Sequence, residues 1–333
     1  MPTEAHARIK INKLLEEAGW RFFDADEGPA TIALEAGTKI SQKDIDAMGE
    51  DFEKVKQGYI DFLLLDPNGF PTAVLEAKKE EIDPLDGKEQ ARRYAQSQNV
   101  RFIILSNGNV HYFWDLEHGN PERVPQLPTQ ESFGHLHTFA PDPSKLIGET
   151  VGKDYIARTQ AADFDRDPRW HDEKERGDYL HQLGIKLLRP YQQRAIHALQ
   201  ESVKNGNKRF LFEMATGTGK TLTAAAVIKL FLRTGNAKRV LFLVDRIELE
   251  RQAQNNFIRY LKNDYTTMKY KERRNDWKSA EIVVSTVQTL AAGNKYQKLF
   301  SPADFDLVIS DEAHRSISGN SRAVFEYFIG YKL

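Results

Sequence analysis

The stretch FLFEMATGTGKT, residues 210–221, contains the pattern that decides the fold of this 333-residue chain. Residues 210–213 form a short apolar run that is typical of a buried strand. Gly217 and Gly219 permit a tight turn after this run, and the apolar spacing over 220–232 predicts a helix that begins where the turn ends. A strand, a glycine-rich turn and a helix in this order indicate an α/β fold.

Three further apolar runs follow the same plan, at 240–244, 282–285 and 307–310. Helical segments separate them, for example at 248–260. Because apolar strands that alternate with helices are buried on both faces, we expect a parallel sheet with helices on each side. The sequence therefore predicts a parallel α/β domain over 181–333.

The glycine-rich turn has the residue types that bind a nucleoside triphosphate. Its backbone N–H groups can surround phosphate oxygens, and the following helix N-terminus adds its dipole. A lysine there would neutralise the charge of the β- and γ-phosphates, and the next hydroxyl would bind Mg²⁺. Met214 stands where the general pattern has glycine, which leaves the two later glycines to form the turn. The predicted ligands are ATP and Mg²⁺, and the predicted binding residues are Thr216, Gly217, Thr218, Gly219, Lys220 and Thr221.

Two further motifs complete this predicted nucleotide site. Asp311 and Glu312 directly follow the apolar run 307–310, so both would lie at the carboxyl end of a parallel strand. There Asp311 can bind the same Mg²⁺ as Thr221, and Glu312 can polarise the attacking water. Upstream, the side-chain amide of Gln192 can both donate and accept a hydrogen bond, as the edge of adenine requires.

A second set of polar residues interrupts apolar strands in the first part of the chain. Residues 59–65 and 73–78 predict a hairpin, with Asp61 in one strand and with Glu76 and Lys78 on one face of the other. Two carboxylates around Mg²⁺ can activate water for displacement at a phosphate, and a lysine can orient that water or neutralise the developing charge. The same spacing also occurs by chance in hairpins, but unpaired buried carboxylates are expensive, which favours a metal site. Asp61, Glu76 and Lys78 are therefore predicted to be catalytic, with the two carboxylates as metal ligands.

Neighbouring helices can add to this predicted catalytic site. The helix predicted over 87–97 has Gln90 and Tyr94 one turn apart on one face, and both are predicted members of the site. On the first helix, either Glu4 or Glu16 could supply another acidic group, and the sequence does not choose between them.

Composition divides the chain into three parts. The α/β unit that contains the hairpin ends near residue 120, which gives a first domain over 1–120. Prolines and acidic residues punctuate 121–180, so this stretch is predicted to be a connector. The parallel α/β domain follows over 181–333.

Composition also excludes several classes of protein. The absence of cysteine excludes a disulfide framework, a thiolate zinc site and a cysteine nucleophile. No apolar run is long enough to cross a membrane and no signal segment begins the sequence, so we expect a cytoplasmic protein. With a net charge of −1, any DNA contact must come from a local patch. One candidate patch, although such runs are more often solvated loops, consists of Lys269, Lys271, Arg273 and Arg274.

The motifs around the nucleotide site resemble those of the superfamily 2 helicases and translocases, whose first RecA-like domain has them in this order. The resemblance implies that the segments 244–249 and 285–290, with Arg246 and Thr286, contact DNA. It also implies that His314 links the state of the nucleotide to the elements that track DNA. Taken singly, Arg246 and Thr286 have the character of a surface charge and a strand-end hydroxyl.

The hairpin and its following helix resemble the PD-(D/E)xK nucleases, in particular the branch with a Gln-x-x-x-Tyr motif. Ile60 stands where that family often has proline. A PD-(D/E)xK restriction-endonuclease-like domain followed by a RecA-like domain resembles the R subunit of type I restriction-modification enzymes. This resemblance implies ATP-driven translocation and cleavage of double-stranded DNA, defence against foreign DNA, and assembly with methyltransferase (M) and specificity (S) subunits.

Two other functions fit the same residues. One is a standalone or type III-like helicase-nuclease, but type III enzymes carry the nuclease at their C-terminal end, unlike the early hairpin of this chain. The other is an ATP- and DNA-binding fragment without turnover, because the sequence ends before the Ser/Thr-Ala-Thr motif and second RecA-like domain that the resemblance implies. We accordingly expect these 333 residues alone to bind ATP weakly and to hydrolyse it negligibly.

Overall fold

A computed structural model describes residues 4–26, 28–34, 38–39, 62–117, 119–262, 264–271, 276–311 and 320–333. The chain divides into two compact units, the first comprising Met1–Thr138 with Phe300–Ala303 and the second Phe139–Leu299 with Asp304–Leu333. None of the helices in the described ranges is long and apolar enough to span a membrane.

The first unit is built around a mixed sheet. Its elements are α1 (Glu4–Glu17), β1 (Ile32–Leu34), β2 (Thr38–Lys39), β3 (Phe62–Leu65), β4 (Pro71–Ala77), α2 (Lys88–Ser97), β5 (Phe102–Ser106), β6 (His111–Asp115), β7 (Glu122–Val124) and α3 (Gln130–Thr138). The strands lie in the order β2-β1-β3-β4-β5-β6-β7, and neighbours are antiparallel except for the parallel pair β4 and β5.

The predicted hairpin is confirmed as β3 and β4, which pair with Phe62 opposite Leu75 and Leu63 opposite Val74. The Asp66 carboxylate closes the turn between them by accepting hydrogen bonds from two backbone N–H groups at 2.8 and 2.9 Å. Strand β4 is buried on both faces from its second residue onward, because helices cover each side of the sheet. Polar residues at its end are therefore held in the interior.

The second unit contains the predicted parallel sheet. Its elements are α4 (Pro143–Gly148), α5 (Ala157–Gln160), α6 (Pro168–His171), α7 (Arg176–Leu183), α8 (Pro190–Lys204), α9 (Lys220–Arg233), β8 (Val240–Val244), α10 (Ile247–Leu261), β9 (Thr267–Lys269), β10 (Ile282–Thr286), α11 (Val287–Ala291), α12 (Lys295–Leu299), β11 (Leu307–Ser310), α13 (Asn320–Tyr327) and β12 (Tyr331–Lys332). The strand order is β12-β11-β8-β10-β9, and every neighbouring pair is parallel. The α/β fold class is thus as predicted.

One predicted strand, residues 210–213, is not formed as a regular strand. The segment makes a single parallel bridge, between Arg209 and Lys332, and the Phe210 N–H donates to the Lys332 carbonyl at 2.8 Å. Beyond that bridge it has no ladder partner among the described residues, and Leu211 is 79% exposed. An apolar run identifies a segment suited to a sheet, but the ladder depends on a neighbouring strand that the run itself does not encode.

The stretch 121–180, predicted as a connector, is instead shared between the two units, which corrects the predicted boundaries. Its first part, including α3, belongs to the first unit, where the Phe133 ring packs edge-on against Trp20. The part from Phe139 belongs to the second unit, whose core includes Leu146 and Ile156. Proline and acidic residues marked short helices and turns here rather than a separate linker.

Three buried side chains fix residues 142–155 to the second unit. Gln200, Lys229 and Asn236 are at most 3% exposed, and each donates to backbone carbonyls of this segment at 2.6–2.8 Å. Because a buried donor without an acceptor is costly, these hydrogen bonds hold the segment against α8, α9 and the turn that follows α9.

Burial lowers the pKa of Lys229 from 10.5 to about 8, which makes the stability of the second unit depend on pH. Between about pH 8 and pH 10.5 the unfolded chain binds more protons at this lysine than the folded chain does, so its contribution to the unfolding free energy rises with pH. We predict that the unfolding free energy of wild type, measured in urea, rises relative to that of Lys229→Met as the pH increases from about 8 to about 10.5. The exposed Lys238→Met variant should follow wild type; parallel curves for wild type and Lys229→Met would contradict the prediction.

Candidate functional sites

Glu76 and Lys78 form a buried ion pair at the end of β4. Their side chains are 0% and 7% exposed, and Lys78 Nζ donates to Glu76 Oε1 at 2.7 Å. The Lys78 backbone N–H donates to the Ser106 carbonyl at 2.8 Å, which extends the pairing of β4 with β5 by one residue. The parallel ladder therefore fixes the backbone on which both charged side chains stand.

Helix α2 covers the sheet face to which the pair belongs. Val74, two residues before Glu76, packs in one apolar cluster with Ala91 and Ala95 of that helix. The helix brings Gln90 to the pair, and Lys78 Nζ donates to Gln90 Oε1 at 3.4 Å. Tyr94 lies one turn further along α2 and packs against the same apolar cluster. Glu76, Lys78 and Gln90 are thus brought together as predicted, with Tyr94 on the same helix.

Glu76 has one carboxylate oxygen that the pair does not use. Oε2 is buried and has no hydrogen-bond partner among the described residues. A buried anionic oxygen without a donor is costly, because water no longer solvates it. Its chemistry fits a hard divalent cation, which prefers carboxylate oxygens. Among the described residues no three His, Asp or Glu side chains cluster tightly enough to hold a metal by themselves.

Several predicted residues lie outside the described part of the chain. They are Asp61, Glu312, His314, Arg273 and Arg274. Of the two alternatives on α1, Glu16 is exposed, and the side chain of Glu4 is not among those described.

The glycine-rich turn leads directly into α9, as predicted. Gly217 and Gly219 have φ angles of 80° and 85°, in the left-handed region that favours glycine, and Lys220 is the first residue of the helix. The Thr218 carbonyl is fixed by two donors, the Tyr191 hydroxyl at 2.7 Å and Gln192 Nε2 at 3.0 Å. Helix α8 therefore sets the conformation of the turn.

The position of Gln192 differs from that expected for a residue that reads adenine. Its side chain is 1% exposed, and Oε1 accepts a hydrogen bond from the Arg189 N–H at 2.8 Å. Nε2 donates to the carbonyls of Thr218 and Gly219 at 3.0 and 3.3 Å. Both the oxygen and the nitrogen of the side-chain amide are thus hydrogen-bonded to backbone groups, so Gln192 stabilises the phosphate-binding turn.

Asp311 follows β11, at the carboxyl end of the parallel sheet. Its backbone N–H donates to the Leu243 carbonyl of β8 at 2.9 Å, and its side chain is half-buried. Thr221, the other predicted Mg²⁺ ligand, is half-buried in the first turn of α9.

Family comparisons match each unit with a known protein family. The family model of the type I restriction enzyme R protein N terminus (HSDR_N) matches residues 42–128, and that of the type III restriction enzyme res subunit (ResIII) matches residues 185–333. The two matched segments are called here the R-protein N terminus and the ResIII domain, after the families that they resemble.

Whole proteins with similar sequences include endonuclease subunits of type I restriction enzymes. The EcoAI subunit of Escherichia coli is 32% identical over 274 residues, covering 80% of this chain and 31% of that protein. The EcoKI subunit of E. coli strain K12 is 29% identical over 363 residues, covering 94% and 29%. The SWI2/SNF2 ATPase core of Sulfolobus solfataricus, solved with dsDNA, aligns at 16% identity and a TM-score of 0.37, covering 44% and 30%. The chain spans less than a third of the length of either curated relative.

In the ResIII domain, the two residues predicted to contact DNA differ in exposure. Arg246 is exposed at the start of α10, with its Nε 3.8 Å from Asp245 Oδ2. Thr286 is 1% exposed, and its hydroxyl accepts the Thr289 N–H at 3.0 Å and so caps α11. The buried Thr286 hydroxyl is therefore hydrogen-bonded within the cap of α11. This corrects the expectation that the side chain of Thr286 contacts DNA directly.

Sequence reasoning missed two residues of these sites. Tyr191 braces the phosphate-binding turn of the ResIII domain through its hydroxyl, and its position beside Gln192 was the only available signal. In the R-protein N terminus, Gly87 lies against the Glu76–Lys78 pair, and no motif marked it.

The contact between Gly219 and Gln192 is testable in the ResIII domain. A Cβ at Gly219 would lie 2.6 Å from Gln192 Nε2, in addition to the strain of a positive φ. We predict that Gly219→Ala lowers the unfolding free energy by about 1–3 kcal/mol more than Gly235→Ala does. Gly235 has a φ of 70° with nothing within 4 Å of an added Cβ, so this control has the strain without the clash.

The excess cost should disappear in a Gln192→Ala background, where the colliding amide is gone. Urea unfolding of Gly219→Ala and Gly235→Ala, each in the wild-type and in the Gln192→Ala background, measures this excess. Equal costs for Gly219→Ala and Gly235→Ala would show that the amide does not constrain the turn.

Proposed function

We propose that the chain acts in a type I restriction system, as the nuclease and part of the ATP-driven DNA motor of an R subunit. The similarity to type I endonuclease subunits supports this system over a type III-like one. The observation that carries the nuclease assignment is the buried Glu76–Lys78 pair with its unpartnered carboxylate oxygen.

In the proposed nuclease, Glu76 Oε2 and Asp61 hold Mg²⁺. Asp61 immediately precedes Phe62, which pairs with Leu75, the neighbour of Glu76 in the chain. Bound Mg²⁺ supplies Lewis acidity and lowers the pKa of water. Glu76 Oε2 supplies one oxygen ligand, so the proposal requires a second carboxylate, which is assigned to Asp61.

Lys78 and its neighbours supply charge and orientation in this proposal. The Lys78 ammonium, hydrogen-bonded to Glu76 and Gln90, neutralises negative charge that develops on the phosphate of DNA. Gln90 limits the rotation of the lysine side chain. Tyr94, on the next turn of the same helix, is proposed as a further member of the site. Since the ammonium is already fixed, little reorganisation is required when the phosphate reacts.

The ResIII domain is proposed to bind ATP with Mg²⁺. The turn from Thr216 to Gly219 receives the phosphates, Lys220 neutralises their charge, and Thr221 and Asp311 hold the cation. Glu312 polarises the attacking water, while Arg246 and His314 couple the nucleotide to DNA. The bracing of the turn by Tyr191 and Gln192 keeps its N–H groups oriented before the nucleotide arrives.

The partners follow from the same proposal. They are double-stranded DNA and the methyltransferase and specificity subunits of a restriction-modification complex, in the cytoplasm. The DNA sequence would be recognised by the specificity subunit, so this chain requires contacts to the DNA backbone only.

The nuclease proposal predicts that Mg²⁺-dependent cleavage depends on Lys78. We expect Lys78→Ala to lower the rate of plasmid nicking by at least about a hundredfold, because the charge on the reacting phosphate loses its fixed counterion. The exposed neighbour Lys79→Ala should cleave like wild type.

Removing Lys78 alone leaves a buried carboxylate without its partner, which costs about 3–5 kcal/mol. The neutral double variant Glu76→Gln/Lys78→Met keeps the bulk of both side chains and avoids that cost. It should be folded by circular dichroism and equally inactive. Cleavage by the folded double variant at the wild-type rate would refute the nuclease assignment.

The nucleotide proposal predicts that Lys220→Ala weakens binding of a fluorescent ATP analogue by about tenfold to a hundredfold, since a charged hydrogen bond to phosphate is lost. Lys298→Ala, on the exposed surface of α12, should bind like wild type. Fluorescence anisotropy titration measures both. An unchanged affinity for Lys220→Ala would mean that the turn does not hold the triphosphate.

A further inference from the structure

A turn between β4 and α2 passes directly over the Glu76–Lys78 pair. This 3₁₀ turn, Pro84–Gly87, ends at Gly87, which is buried and lies immediately before α2. Gly87 has φ −86° and ψ −1°, a right-handed conformation that every L-residue adopts. The φ and ψ angles of Gly87 are therefore open to alanine as well as to glycine.

The reason for glycine is the space above the ion pair. A Cβ at Gly87 would lie 2.7 Å from Lys78 Cε, 2.8 Å from Glu76 Cγ and 3.3 Å from Glu76 Oε1. Distances below about 3 Å between carbon atoms are well inside van der Waals contact, so one group would have to move. Both neighbours are buried side chains with little room to turn aside.

The turn itself has little freedom to retreat from the pair. At its start, Asp83 Oδ1 accepts the Leu85 N–H at 3.0 Å. The preceding loop is fixed by Asn107 Nδ2, which donates to the carbonyls of Glu80 and Ile82 at 3.1 and 2.9 Å. At its end the chain enters α2, whose Ala91 and Ala95 are completely buried. Any displacement caused by a Cβ therefore falls on Glu76 and Lys78.

We propose that Gly87 is a positioning residue for the Glu76–Lys78 pair. Its bare Cα lets the turn close over the pair, so that the Lys78 ammonium lies between Glu76 and Gln90 and one oxygen of Glu76 stays open. The catalytic part of this inference rests on the proposed nuclease function, whereas the steric part concerns the chain without metal or DNA.

The steric part is tested by the melting temperature of the metal-free chain in three backgrounds. In wild type, Gly87→Ala should lower the melting temperature. In Glu76→Gln/Lys78→Met, which keeps the bulk of the pair, the loss should persist. In Glu76→Ala/Lys78→Ala, which removes the colliding atoms, the loss caused by Gly87→Ala should shrink to the small cost of alanine in place of glycine at a helix N-cap.

The catalytic part is tested by Mg²⁺-dependent nicking with Gly87→Ala in the wild-type background. A displacement of about 1 Å at reacting groups can cost about a hundredfold, so we expect a loss of about tenfold to a hundredfold. The control is Gly134→Ala, at an exposed site of α3 where an added Cβ meets nothing within 4 Å, and it should nick like wild type. The Mg²⁺ concentration for half-maximal nicking should rise in Gly87→Ala and stay at the wild-type value in Gly134→Ala. A loss of stability without a change at the pair would leave this concentration unchanged.

The outcomes separate this inference from the proposed function. A loss of melting temperature that is the same in all three backgrounds, or wild-type nicking and Mg²⁺ dependence in Gly87→Ala, would overturn the positioning role. If wild type itself does not nick DNA, the nuclease proposal fails, and the melting series still decides whether Gly87 makes room for the pair.

Discussion

The buried ion pair of Glu76 and Lys78 is the interaction on which the account of the first unit depends. Two charged side chains at most 7% exposed, at the end of a strand buried on both faces, are expensive unless each charge is satisfied. The pair satisfies the ammonium through Glu76 and Gln90, but it leaves one carboxylate oxygen open among the described residues. Apolar residues at these two positions would avoid the cost of burying charge. The buried pair therefore indicates a chemical role rather than a contribution to stability.

The same physical device recurs in both units. In each, a glycine allows a polar side chain to approach the backbone more closely than a Cβ would permit: Gly87 over the Glu76–Lys78 pair, and Gly219 beside Gln192. In the first case the conformation of the glycine is ordinary, and only the neighbouring side chains require it. In the second a left-handed φ and a close amide both require it. The placement of these polar side chains thus depends on the absence of a Cβ at the neighbouring glycine.

The sequence predicted the elements that follow from local pattern. The hairpin, the parallel strands β8, β10 and β11 and the helices α2, α9 and α10 all come from apolar periodicity, which is local. It failed where long-range contacts decide. The segment 210–213 lacks a ladder partner beyond one bridge, and residues 142–155 pack through donors that lie far away in the chain. The sequence places Gln192 at adenine and Thr286 at DNA. Spacing along the chain does not show that both side chains are already hydrogen-bonded to backbone groups.

The central claim, that Glu76 presents an open oxygen to a divalent cation, is tested most directly by isothermal titration of Mn²⁺ into the nucleotide-free chain. Without nucleotide, the phosphate-binding turn lacks the oxygens that complete its cation site. The account predicts one binding event that Glu76→Gln abolishes and that Glu81→Gln, an exposed carboxylate nearby, leaves intact. Binding of equal affinity and stoichiometry in wild type and Glu76→Gln would contradict it.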